Sequence, residues 1–180
     1  MYKCIMAIAL LLSTITSLAG DNINVRGIPL EIGESRISVI EKLGDPDIGN
    51  ASGVILNYHF EGRNRLAVRF DKHQTVKDIY LVDSSGLSHA DFKGYKIWLG
   101  IDNTMTLIKK LGNVCSEYEE DQFNISNYIT EVRNGDHDQI AIQFRAQNPT
   151  VKGTSALMKK PVDELWLNPL LPKTDTNCNY

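Results

Sequence analysis

The residues that could carry catalysis or hold a metal are present but poorly arranged for either task. His59, His73, His89 and His137 are scattered. No two stand four apart with a glutamate between, the spacing that puts two zinc ligands and a base on one helix face. Asp136 and Asp138 in the hairpin NGDHD (134–138) read as a solvated turn rather than a cation site. The stretch SEYEED (116–121) gathers carboxylates and reads as a charged loop, or more sharply as bait for a basic cleft. There is no G-x-S-x-G elbow and no glycine-rich phosphate loop. With 22 acidic residues, no acid and base pair can be singled out. The expectation is a protein that is not an enzyme, with no cofactor and no metal.

What remains is binding, and composition narrows the partner. Nineteen basic residues stand against 22 acidic ones, a formal net charge of −3. That balance argues against nucleic acid, which asks for a concentrated basic footprint. The first residues, MYKCIMAIALLLSTITSLAG, place Lys3 before an apolar run from Cys4 to Leu12 and then small and polar residues. This is the pattern of a signal peptide (1–19), with cleavage near Ala19. Ser13, Thr14, Thr16 and Ser17 cut the run short of the roughly 20 apolar residues a spanning helix needs. Gly20 and Asp21 stand where a lipoprotein would need its cysteine. The expected location is periplasmic or secreted, with no membrane anchor after cleavage. Cys4 would leave with the signal, so Cys115 and Cys178 are expected to pair in an oxidising compartment, a bridge worth about 4 kcal/mol in the chain-entropy model. The alternative is two unrelated thiols, or one bond to a partner.

The elements that would position a binding surface come in two sets. Ser35 is a candidate N-cap, Ile37, Ile40 and Leu43 recur at threes, and Gly44 with Pro46 supplies a stop. Further on, Asp102 caps, Met105, Ile108 and Leu111 form the stripe, and Gly112 stops. Each helix is too short to stand alone in water. After the first come VILNYHF (54–60), RLAVRF (65–70) and VKDIYLV (76–82), whose period of two marks strands with one apolar face. After the second come NYITEVR (127–133), the turn pair Asn134-Gly135, IAIQFR (140–145) and VDELWL (162–167). The fold class expected is α+β, two tandem units, each a short helical segment on a three- to four-stranded antiparallel sheet. The units span 20–83 and 94–180, the latter with a C-terminal tail, and 84–93 links them. In the long connection 147–161, Leu157 and Met158 are placed to cover an edge strand or touch a partner.

If Leu66, Val68 and Phe70 face the core, Arg65 and Arg69 face out with Asn57 and His59; Ile79 and Leu81 go in, leaving Asp78 and Tyr80 out. The second unit likewise presents Glu131, Arg133, Gln143, Arg145, Glu164 and Trp166. Aromatics with arginine are the mixture found at interface hot spots. Arg65, Arg69, Tyr80, Arg133, Arg145, Glu164 and Trp166 are therefore the candidate partner-binding residues. Tyr80 and Trp166 could equally pack where the two units' sheets meet, and both roles hold if the sheets lie side by side.

The run Gly33-Glu34-Ser35, Val39, Leu43-Gly44-Asp45-Pro46, an aromatic strand and LAVRFDKHQTV resembles the outer-membrane-assembly small lipoprotein family and its structural relative, the beta-lactamase inhibitor protein. The likeness spans 27–82 and, more weakly, 94–167. It implies a helix packed on an antiparallel sheet, twice in tandem, and a protein-binding role. The resulting expectation is an inhibitor or immunity protein against a toxin effector or hydrolase. The alternatives are an envelope accessory or assembly factor and, third, a small hydrolase or ligand carrier.

Overall fold

A computed structural model describes residues 22–47, 53–92, 94–112, 115–120, 126–133, 141–148 and 154–168, with side chains outside the description at 115–120, 126–128, 132–133, 141–143, 147–148 and 154. The expected signal peptide, the Asn134-Gly135 turn, the NGDHD hairpin and Cys178 lie outside the described residues.

The order of elements is β1 (Asn22–Val25), β2 (Ile28–Leu30), α1 (Arg36–Leu43), β3 (Ile55–His59), β4 (Arg65–Phe70), β5 (Val76–Val82), β6 (His89–Phe92), β7 (Tyr95–Trp98), α2 (Thr104–Leu111), β8 (Cys115–Glu120), β9 (Ser126–Arg133), β10 (Ala141–Asn148), α3 (Thr154–Leu157) and β11 (Glu164–Asn168). They build an α+β fold with two antiparallel sheets. One has four strands in the order β2-β1-β6-β7, the other seven in the order β3-β4-β5-β11-β10-β9-β8. The turn from β1 to β2 is made by Arg26 (φ 51°) and Gly27 (φ 94°), both left-handed as a two-residue type I′ hairpin requires, and Asn24 Oδ1 accepts from Gly27 N–H at 2.7 Å.

Strands read from period two fall where expected. Leu56, Leu66, Val68, Ile79 and Leu81 are buried while Arg65 and Arg69 are exposed. Both sheets contribute to a single core cluster, with Ile23, Ala90 and Ile97 from the smaller sheet, Phe70, Phe144 and Leu165 from the larger, and Val39 and Leu107 from the helices.

Several expectations are corrected. The stretch 84–93 is not simply a linker: His89–Phe92 is β6, paired on one side with β1 and on the other with β7, with Ala90 and Phe92 turned into the core. The SEYEED run is not a loop, since Cys115–Glu120 is the outermost strand of the large sheet. Leu157 covers no edge: it is buried in α3, which packs over β9 and β10. The helix stripes also shift. Ile37 is 70% exposed and Met105 53% exposed, whereas Val39 and Leu107 are fully buried. Steps of three drift about 60° each around a helix of 3.6 residues per turn, so a run of threes leaves the face that mixed threes and fours keep. Arg36, Val39, Ile40 and Leu43 hold that face in α1. Arg36 belongs on it because its Nη1 donates to Gly53 O and to Gln74 Oε1. In α2 the cap is Asn103, accepting from Thr106 N–H at 3.0 Å; Asp102 instead accepts from Trp98 N–H at 2.8 Å and pairs with Lys110 at 2.7 Å.

Matching bonds recur in the two halves. Gly33 N–H donates to Val76 O and Gly100 N–H to Val162 O, each at 2.8 Å; Val76 N–H returns to Glu34 O and Val162 N–H to Asp102 O, each at 2.8 Å. Lys42 Nζ donates to Pro29 O at 2.9 Å and pairs with Glu34 at 2.6 Å. Lys110 Nζ donates to Lys96 O at 2.8 Å and pairs with Asp102 at 2.7 Å. In each half a helical lysine thus reaches a carbonyl of an outer strand of the small sheet, a place where unpaired edge groups would otherwise invite another strand.

Candidate functional site

Every candidate binding residue falls on the same face of the seven-stranded sheet. Register fixes this: Asn57 lies opposite Ala67, Ala67 opposite Tyr80, Tyr80 opposite Trp166, Trp166 opposite Gln143 and Gln143 opposite Glu131, one row across six strands. Residues two positions away share the face, which adds Arg65 and Arg69 on β4, Asp78 on β5, Glu164 on β11, Arg145 on β10 and Arg133 on β9. Arg133 is placed by its backbone alone, opposite Ala141. Tyr80 and Trp166 stand where the strands of the first half meet those of the second, at the β5–β11 pair.

A groove of about 340 Å³ opens on this face, lined by Ile55, Asn57, Ala67, Arg69, Asp78, Tyr80, Arg145, Glu164, Leu165 and Trp166. Ala67, the smallest side chain of the row, lies in the lining between Asn57 and Tyr80. Arg65 stands beside the groove, its guanidinium 5.6 Å from the centre of the Tyr80 ring, a cation-π arrangement.

The charges are layered. Asp78, expected to be exposed, is 2% exposed, and Glu131 and Glu164 are also buried. Arg69 reaches Asp78 Oδ2 at 3.4 Å with its own side chain 49% exposed. Arg145 reaches Glu164 Oε2 at 3.7 Å with its side chain 35% exposed. Asp78 and Glu164 lie on the two central strands β5 and β11 of a wide sheet, and a buried carboxylate asks for a partner cation. The arginines supply it from above, where long stems keep the head groups in water. Burial pushes the Tyr80 phenol up from its ordinary value; the Arg65 hydrogen bond opposes this and the charge of Glu164 adds to it. Tyr80 is therefore a neutral hydroxyl at neutral pH.

Among the described residues there is no group of three His, Cys, Asp or Glu side chains that could hold a metal ion. Sequence reasoning did not find two further polar clusters, one between distant segments and one within the β6–β7 hairpin. Asp83 is fully buried and takes hydrogen bonds from Ser85 Oγ and Ser88 Oγ, each at 2.5 Å, and from Arg26 Nε at 3.3 Å. Arg26 in turn lies 4.6 Å from the Phe60 ring centre. This cluster fastens the β1–β2 turn to the end of β5. His89 lies against Trp98 with ring centroids 4.3 Å apart and ring planes tilted by 44°, and faces Asp91 at 3.3 Å. The signal for both was weak, since it consists of single polar residues inside short strands and turns.

A scan against protein-family models and a search of curated proteins found no match. A search of solved structures found a DUF4309 family protein (YjgB) from Bacillus subtilis, at 16% identity and a TM-score of 0.41, over 74% of this chain and 77% of that one. These comparisons indicate neither the small lipoproteins nor the beta-lactamase inhibitor protein.

Proposed function

We propose that the chain is an exported, non-enzymatic protein-binding module built of two tandem units, and that it docks a partner on the outer face of the seven-stranded sheet. The partner in this reading is a toxin effector or hydrolase that the protein inhibits. The observation that carries the reading is the groove at the β5–β11 joint, where Tyr80 and Trp166 are flanked by the half-exposed Arg69 and Arg145. Aromatic and arginine side chains around a central hollow are the composition of interface hot spots. A continuous sheet also suits docking, because little conformational entropy remains to be lost there. The matched bonds of the two halves, Gly33 with Gly100 and Lys42 with Lys110, support the tandem units.

The test is capture from the envelope fraction of the native host by the wild-type chain and by a Tyr80→Ala/Trp166→Ala double variant, with captured proteins identified by mass spectrometry. A partner held by the wild type and weakened by more than about 1 kcal/mol in the folded double variant supports the reading. Equal capture by both chains removes the sheet face from the interface.

A further inference from the structure

We infer that the groove receives an acidic segment of its protein partner, with Arg65, Arg69 and Arg145 as the receiving cations; this deepens the docking reading and rests on it. The face contains charges of both signs, but they are not equally available. Asp78 and Glu164 are 2% and 7% exposed, whereas the Arg69 and Arg145 side chains above them are 49% and 35% exposed and Arg65 is exposed too. A partner therefore meets guanidinium groups and aromatic rings first, and the carboxylates lie beneath.

The buried acids do more than balance charge. Each arginine approaches its acid through one nitrogen, at 3.4 and 3.7 Å, longer than a charge-assisted hydrogen bond and not the two-pronged fork a guanidinium can form. A guanidinium presents five N–H donors in a planar array, more than a single contact to the acid below can use. Anchoring from below also restricts the long side chains beforehand, which lowers the ordering cost on binding. Planar forks of this kind match carboxylates. The occupant is a protein segment rather than a long polyanion, because the whole chain carries −3 and its outer field repels an extended negative polymer. A short acidic segment needs only the local patch, with its apolar neighbours resting on Tyr80 and Trp166.

The full chain can be titrated by fluorescence anisotropy against a labelled peptide that alternates glutamate with leucine, and against its glutamine and lysine counterparts. The expected result is binding of the glutamate peptide, weakened about tenfold or more for the glutamine peptide and for the Arg69→Gln/Arg145→Gln chain. Because the neutral variant strands two buried acids, Arg69→Lys/Arg145→Lys and Arg65→Gln are measured beside it, and both are expected to bind less tightly than wild type while melting as it does. Equal or tighter binding of the glutamine or lysine peptide overturns the inference, as does displacement of the glutamate peptide by heparin fragments at equal charge concentration. A native partner lost by Tyr80→Ala/Trp166→Ala but kept by all three arginine variants overturns the acidic partner alone and leaves the docking reading standing. Retention by every variant overturns both.

Discussion

Replacing Gly100 with alanine should destabilise the protein far more than replacing Gly33, although the two make the same bond in their respective halves. Both have left-handed backbones, φ 77° and φ 85°, where an L side chain costs about 1–2 kcal/mol. A methyl group on the Gly33 Cα would meet nothing within 4 Å, whereas one on the Gly100 Cα would lie 2.6 Å from Ser84 O and 2.7 Å from Ser84 C, both backbone atoms. Ser84 cannot retreat cheaply, because its N–H is held by Asn64 Oδ1 at 3.0 Å and it directly follows the buried Asp83. Overpacking against fixed atoms adds about 1–3 kcal/mol. The sum is about 2–5 kcal/mol for Gly100→Ala against about 1–2 for Gly33→Ala. Urea unfolding of the two variants, with equal m-values as the check on two-state behaviour, reads the difference directly. If the midpoints lie within error of each other, the close approach of the β7–α2 corner to Ser84 is wrong, and with it the tight seam between the halves.

Two further predictions test the core and the buried charge. Leu107→Ala should cost about 2–5 kcal/mol and Val39→Ala somewhat less, whereas Ile37→Ala and Met105→Ala, on the exposed side of the same helices, should stay within about 0.5 kcal/mol; thermal melts of the four variants decide this. For Asp83, burial raises the carboxyl pKa, but hydrogen bonds from Ser85, Ser88 and Arg26 outweigh it and hold the group below its ordinary 3.8. Its folded pKa lies below its unfolded one, so its contribution is present above 3.8 and is lost as pH falls through the lower folded value. Asp83→Asn should lower stability at pH 7 and flatten the acid limb of a stability curve; an unchanged limb would show that the fold does not lower the Asp83 pKa.

How much of this was readable from the sequence depends on how each feature is encoded. RLAVRF and VKDIYLV coincide with β4 and β5, because burying one face of a strand leaves a period of two in the chain. The same parity turned Arg65, Arg69 and Tyr80 outward in one unit and Arg145, Glu164 and Trp166 outward in the other; the β5–β11 pairing is what joins them on one face. The small sheet was not legible. Its strands are three or four residues long, too short for a period to show, and its first turn uses Arg26-Gly27 instead of the usual asparagine-glycine pair. Depth was not legible either. Parity says which way Asp78 points but not how many strands flank it, and the sheet became seven strands wide only when β5 paired with β11.

That pairing is also why the proposed binding surface and the seam between the halves are one structure. Tyr80 and Trp166 are opposite each other across β5 and β11, so they pack the joint and floor the groove at once, and truncating them perturbs both. The arginines separate the two roles. Arg69 sits one strand from the joint on one side and Arg145 one strand away on the other, each reaching inward to an acid on a joint strand. A groove framed in this way exists in neither half alone: its floor and both its walls need the two central strands in register. A one-residue slip between β5 and β11 would turn Trp166 into the core and Leu165 outward, so partner affinity should fall with any change that loosens the seam, including Gly100→Ala, even where no groove residue is altered.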